Sequence, residues 1–256
     1  MEQMESIKTP DFIIIGTQKC GTSTLFRHLK KHPQIFLPPK KELHFFDENY
    51  NENLDNYLTN FNHKNFPKQA FCTGEASPFY FFHPLVASRI ARHFPGIKLI
   101  LLLRNPVNRA YSQYHHMKRK DRISISFENA IHLEPEMLKD RKEAFLKNEN
   151  HSDLVYRRFS FLARSRYSEQ LKIWYQHFNK EQILIIKSED YFTDTENTLQ
   201  QVFSFLQISP FRIILEKEHK ASAYPAMKPE TRKKLIDYFE PFNQELYKMI
   251  GRDFAW

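Results

Sequence analysis

Cysteine is scarce in this 256-residue chain, which has only Cys20 and Cys72. Two thiols make no disulfide framework, and without a CxxC pair or a Cys/His cluster the sequence offers no zinc site. Long apolar runs are missing too. The longest aliphatic stretches, residues 12–15 and 97–103, fall far short of the ~20 residues needed to cross a bilayer. Residues 1–10 carry charges and no apolar run, so no secretory leader is expected there. The chain is therefore expected to be soluble and cytoplasmic, with no transmembrane segment. There is no internal repeat and no low-complexity tract, which sets aside repeat architectures.

What is present is bulky and basic. The 24 Phe and 12 Tyr supply material for a substantial core. The length favours one large α/β domain over residues 1–256. A formal net charge of +8 calls for anionic partners. A nucleotide, a sulfated or carboxylated glycan, a nucleic acid or a membrane surface would each satisfy that charge, and charge alone does not choose among them.

Strand-like and helix-like segments alternate along the chain, the pattern of a central, mostly parallel sheet flanked by helices in three layers. Strands are predicted at 12–15, 71–75, 97–103 and 183–186. Helices are predicted at 22–31, from Pro84 to 94, and from Pro106 onward with Tyr111, Ser112 and His116 on it. Residues 118–150 turn polar and are expected to form short surface helices. The spacing of Leu162, Tyr167, Leu171, Trp174 and Phe178 predicts an amphipathic helix over 161–178. Residues 195–206 and 229–250 are predicted helical, and 215–225 a loop.

The first strand runs into Gly16-Thr-Gln-Lys19-Cys-Gly21-Thr22-Ser23-Thr24. Strand, glycine loop and helix start together present backbone N–H groups and a positive helix end to an anion. Gly16 and Gly21 have the spacing of a Walker A loop, but the Lys-Ser/Thr pair that should follow the second glycine is absent. The lysine stands inside the loop instead, at Lys19. The strand over 97–103 ends in Arg104, where a magnesium-dependent nucleotidase would place an acid. A glycine after a strand is by itself equally a turn. The two departures together suit a nucleotide with an extra phosphate better than a triphosphate–metal complex.

At this point the residues resemble a known family. The run from Ile14 to Leu25 is similar to the 5′-phosphosulfate loop of sulfotransferases that use 3′-phosphoadenosine-5′-phosphosulfate (PAPS). Leu103-Arg104-Asn-Pro106-Val-Asn-Arg109-Ala-Tyr-Ser112 resembles their 3′-phosphate motif. The catalytic domains of the heparan sulfate N- and 3-O-sulfotransferases look nearest, and the resemblance spans most of the chain. It implies a P-loop-like fold and PAPS as donor with no metal. Lys19, Cys20, Gly21, Thr22, Ser23 and Thr24 would hold the 5′ end, and Arg104 and Ser112 the 3′-phosphate. Lys41-Glu42-Leu-His44 resembles the segment carrying a catalytic glutamate, making Glu42 the general base. Arg164-Ser165-Arg166-Tyr167 resembles a segment near the nucleotide, with contacts from Ser165 and Tyr167. His116 matches a position near the acceptor, and Lys220-Ala-Ser222-Ala-Tyr224-Pro225 resembles a lid over the phosphates. Two positions depart from the pattern: Ser222 replaces an arginine of the lid, and Ala76 replaces a lysine of the 3-O-sulfotransferases.

The resemblance implies in-line sulfuryl transfer to a hydroxyl or amine. Glu42 would take the proton, Lys19 would stabilise the leaving phosphate, and His116 would assist. Lys41, His44 and His116 are expected to touch the acceptor. A carbohydrate is the first expectation for that acceptor, and a lipid or small hydroxylated metabolite the next. Nucleic acid is not an expected partner. The competing readings are a P-loop nucleotide or sugar kinase and a non-catalytic glycan-binding module.

Overall fold

A computed structural model of the protein describes residues 8–61, 70–215 and 224–256. In chain order its elements are β1 (Phe12–Gly16), α1 (Thr22–Leu29), β2 (Ile35–Phe36), α2 (Leu54–Leu58), β3 (Cys72–Ala76), α3 (Val86–His93), β4 (Lys98–Leu103) and α4 (Pro106–Lys118). There follow α5 (Phe127–Leu138), α6 (Arg141–Lys147), α7 (Leu154–Phe159), α8 (Tyr167–Trp174), β5 (Ile183–Lys187), α9 (Ser188–Thr193), α10 (Thr195–Leu206) and α11 (Pro229–Ile250).

The strands form one sheet in the order β2-β3-β1-β4-β5, every pair parallel. Because side chains alternate across a strand, the two central strands feed two cores. Ile13, Ile15, Leu99, Leu101 and Leu103 pack on one face with Ile90, Leu171, Trp174 and Leu246. Phe12, Ile14, Ile100 and Leu102 pack on the other with Leu25, Leu29, Val202 and Phe203. Burial of each such side chain contributes about 1.5–3 kcal/mol. That double burial is why β1 and β4 read as unbroken apolar runs. The sheet has helices on both faces, as the alternation predicts.

The chain leaves β1 toward β2 on one side and leaves β4 toward β5 on the other. Connections that diverge in this way open a crevice at the C-terminal ends of the adjacent strands β1 and β4, where ligands of open α/β sheets bind.

One predicted helix is shorter than its periodicity suggests. In place of a helix over 161–178, the chain makes a turn and a 3₁₀ segment at Ala163–Ser165, and α8 starts only at Tyr167. The cause lies 27 residues upstream. The buried Glu134 carboxylate accepts backbone N–H bonds from Phe161 at 3.0 Å, Leu162 at 2.8 Å and Ala163 at 2.8 Å. The buried Arg109 guanidinium donates to the Phe161 carbonyl and to Ser165 Oγ. Long-range polar partners claim this backbone before a helix can. Burial pushes the Glu134 carboxyl up to about 6 despite those three donors.

β2 and α2 have no counterpart in the sequence prediction. β2 is two residues long, too short to show a period, and it is held to β3 by pairing of Ile35 with Cys72 and Phe36 with Thr73.

Candidate active site

The loop after β1 is shaped by its own backbone. Thr17 N–H donates to Leu102 O at 2.8 Å, and Cys20 N–H donates to Thr17 O at 3.1 Å. Lys19 and Gly21 take positive φ values of 74° and 95°. At Gly21 a side chain is excluded twice, by that φ and because a Cβ would lie 2.9 Å from Phe192 Cζ. Among the described residues no side chain caps α1. The first-turn N–H groups are therefore left for an anion, with the hydroxyls of Ser23 and Thr24 beside them.

β4 delivers Arg104 to the same crevice, where Nη1 donates to the Lys19 carbonyl at 3.2 Å. Pro106 starts α4, and Asn105 caps it by accepting Asn108 N–H at 3.1 Å. Residues 108, 112 and 116 are four apart, so they share one face of α4, and Lys120 follows in the turn just past its end. Asn108, Ser112, His116 and Lys120 all line the crevice. Two further bonds fix the turn that carries Arg104. Tyr167 Oη donates to Arg104 O at 2.8 Å, and Glu189 Oε1 accepts Asn105 N–H at 2.9 Å.

The resulting cleft measures about 1050 Å³. Its walls carry six lysine or arginine side chains, Lys19, Arg104, Lys120, Arg122, Arg157 and Arg158, against two carboxylates, Glu42 and Glu189. Burial and the nearby charges of Arg119 and Arg104 lower the Lys19 pKa. Burial and the Lys19 charge bring His116 down to about 4, so its imidazole is neutral at neutral pH. Six cations against two carboxylates in one cleft are the electrostatics of a site for a polyanion.

Glu42 enters from the β3 side. Its N–H donates to Ala76 O at 3.0 Å, and both Glu42 and His44 hold positive φ, 64° and 54°. Non-glycine residues in this region cost energy and concentrate at functional sites. Lys41 Nζ sits 2.6 Å from Glu42 Oε1, and His44 Nε2 lies 3.3 Å from Glu42 Oε2. His44 Nδ1 bonds Asp47 Oδ2 at 2.9 Å, and Arg157 Nη2 approaches His44 Nε2 at 3.0 Å. A cationic ring donates to Glu42, whereas a neutral ring protonated on Nδ1 accepts from Arg157. Burial alone would raise the Glu42 carboxyl, but the His44 bond and the Lys41 charge outweigh it and hold it at about 2. Burial alone would likewise lower His44, yet its bonds to Asp47 and Glu42 raise it to about 9. The pair is therefore an ionised carboxylate against an imidazolium.

Nine of the residues singled out in the sequence line this cleft together: Lys19, Gly21, Thr22, Ser23, Thr24, Glu42, Arg104, Ser112 and His116. Lys41 and His44 stand behind Glu42 rather than on the wall. Three expected nucleotide contacts need correction. The Cys20 thiol is fully buried and its N–H is spent on Thr17. Ser165 is buried beneath Pro106 and takes the Arg109 bond. Tyr167 is buried with its hydroxyl on the Arg104 carbonyl, so it positions Arg104 instead of facing the cleft. Lys220 and Ser222 lie outside the described residues. Ala76 is fully buried at the end of β3 and presents nothing to the cleft.

The sequence prediction missed Gln18, Asn108, Lys120, Arg122, Arg157, Arg158, Glu189 and Phe192 among the lining residues. The four-residue spacing from Ser112 along α4 would have found Asn108. Arg157, Arg158, Glu189 and Phe192 carry no local signal, because tertiary packing brings α7 and α9 to the cleft.

Comparison with known proteins agrees with this geometry. The sulfotransferase domain family matches residues 9–252. The membrane-associated sulfotransferase kil1 of Dictyostelium discoideum is 32% identical over an alignment covering 96% of this chain and 66% of that protein. The chain thus spans about two thirds of that relative's length. Human heparan sulfate glucosamine 3-O-sulfotransferase 5 is 29% identical, over 96% of this chain and 74% of its own. The crystal structure of a sulfotransferase from Alicyclobacillus acidocaldarius superposes with a TM-score of 0.79 at 30% identity, covering 97% of this chain and 98% of the other. Fold, cleft and match over nearly the whole chain agree that it belongs to the sulfotransferase domain family.

Proposed function

We propose that the protein transfers the sulfuryl group of PAPS to a hydroxyl or amine of a carbohydrate acceptor. The observation that carries the donor is the pairing of two anion sites across one cleft. The Lys19–Thr24 loop lies at the end of β1, and Arg104 and Ser112 lie at the end of β4 and on α4. A nucleotide phosphorylated at both its 5′ and 3′ positions satisfies both.

The acceptor oxygen or nitrogen attacks sulfur in line while the bond from sulfur to the 5′-phosphate oxygen breaks. The electron pair stays on that phosphate, giving the 3′,5′-bisphosphate. The acceptor proton passes to Glu42. Lys19 and the loop N–H groups meet the charge that grows on the leaving phosphate. A carboxylate held at about 2 is a weak base. In a loose transition state the nucleophile gives up its proton late, when the closing bond to sulfur has made it strongly acidic. A weak base already in place then suffices.

The carbohydrate acceptor is supported by the relatives named for heparan sulfate glucosamine and by the cationic wall of Lys120, Arg122, Arg157 and Arg158. These cations fit a glycan that already bears sulfate or carboxylate groups. We place the protein in the cytoplasm, consistent with two free, buried thiols; cell fractionation tests this. For the acceptor, a panel of sulfated glycans, neutral glycans, lipids and phenols is offered with labelled PAPS, and products are read by mass spectrometry. Sulfated glycans are expected to be the preferred acceptors. Transfer to lipids or phenols with none to glycans would overturn the acceptor assignment.

A further inference from the structure

Arg164 is a buried cation that the transfer chemistry leaves without a task. It is 1% exposed, and among the described residues its hydrogen bonds go to an amide and a carbonyl, with no carboxylate in ion-pair contact. Burial and the Arg109 charge pull its pKa down to about 9. A buried charge without a matching countercharge costs stability, so its place requires an explanation from function.

What it holds is specific. Nη1 donates to Gln18 Oε1 in the phosphate loop at 2.5 Å, and Nη2 donates to the Arg157 carbonyl on α7 at 2.6 Å. The guanidinium carbon lies 5.0 and 5.1 Å from the ring centroids of Phe79 and Phe82. The backbone that carries it is pinned as well. Glu134 binds the three preceding N–H groups, and the adjacent Ser165 takes the Arg109 bond. The guanidinium is thus a fixed strut, with one end on the donor loop and the other on α7. A rigid planar fork can hold two acceptors in set directions, which a single ammonium does not.

Arg157 carries the connection onward. Its Nη2 approaches His44 Nε2 at 3.0 Å, and its Nη1 pairs with Glu48. Glu42, Asp47 and Arg157 face the His44 ring, and Lys41 is paired with Glu42. Contacts therefore run unbroken from Gln18 through Arg164 and Arg157 to the His44–Glu42 pair. We infer that Arg164 is a positioning residue for the transfer reaction, setting α7 against the phosphate loop so that Arg157 meets His44 and the acceptor wall stands at a fixed distance from the donor. This rests on the reaction proposed above. The Arg157 charge beside His44 disfavours the imidazolium, so withdrawal of Arg157 raises the His44 pKa.

The test follows the His44 titration by NMR, and transfer from PAPS to a sulfated glycan, in the wild type, Arg164→Lys, Arg157→Gln and the double variant. Arg164→Lys is expected to move the His44 midpoint upward from about 9 by about one pH unit. It is also expected to raise the acceptor KM about tenfold, more than it lowers kcat. Arg157→Gln is expected to do the same, and the double variant to go no further than either single one. An unmoved midpoint in Arg164→Lys would overturn the inference, even if thermal stability fell, since the cation would then only support the fold. Additive effects in the double variant would also overturn it, because Arg164 would then act by a route other than Arg157. If Arg164→Lys does not fold, Gln18→Ala leaves the buried guanidinium in place and frees its loop end. An unmoved midpoint there overturns the inference in its turn. Absence of transfer by the wild type would instead remove the proposed reaction, while the His44 titration would still decide whether Arg164 holds Arg157.

Discussion

Lys19→Ala is expected to lower kcat about 10²–10³-fold, the range seen when one preorganised donor to a developing oxyanion is removed. Lys19 stands inside the loop with positive φ, its pKa lowered by burial and by the Arg119 and Arg104 charges. A partly desolvated ammonium acts most strongly where negative charge is growing. KM for the donor is expected to rise as well, but less than kcat falls. Thermal unfolding should be unchanged, since among the described residues no hydrogen bond or ion pair from the ammonium supports the core. A variant whose KM rose while kcat stayed intact would show that Lys19 binds ground and transition states alike. The leaving-group role would then be wrong.

Glu42→Gln is expected to reduce kcat on the order of 10²–10⁴-fold, because the amide keeps the shape of the carboxylate and loses the proton acceptor. The wild-type pH profile carries the same information. Glu42 is ionised above about 2, and His44 stays protonated up to about 9. His116 stays neutral down to about 4. The working protonation state therefore persists from about pH 4 to about pH 9, and kcat/KM is expected to be flat between them. The acid limb belongs to His116 taking up a proton, and the alkaline limb to His44 losing one and turning from Glu42 to Arg157. A midpoint near 6.5 would mean that one of these histidines is not held as the geometry requires. Native turnover by Glu42→Gln would remove Glu42 as the base.

The parts of the site that could be read from sequence are those whose meaning is local. β1, the loop and α1 follow one another within 18 residues, and β4, Arg104 and α4 within 21, so residue type and spacing carry the geometry. The helices at 195–206 and 229–250 were equally legible, with Asp194 capping the first and Pro229 opening the second. What failed was long-range. Periodicity over 161–178 could not reveal that Glu134 and Arg109 take the backbone groups there. A serine or tyrosine near a motif also does not say which way it faces. Ser165 and Tyr167 point into the protein and hold Arg109 and Arg104, so they support the site from behind. Arg157 and Arg158 on α7 reach the cleft only because α7 packs on α5. No spacing in the chain encodes that.

The central claim is that the loop between Gly16 and Thr22 and the distant Arg104 form a phosphosulfate site that works without a metal. Its most direct test is label transfer in the presence of a divalent-metal chelator. Sulfur-labelled PAPS and γ-phosphate-labelled ATP are supplied separately with the same sulfated glycan. The account predicts sulfur label in the glycan at an undiminished rate under chelation and no phosphate label from ATP. Phosphate transfer from ATP, or sulfur transfer abolished by the chelator and restored by magnesium, would contradict it.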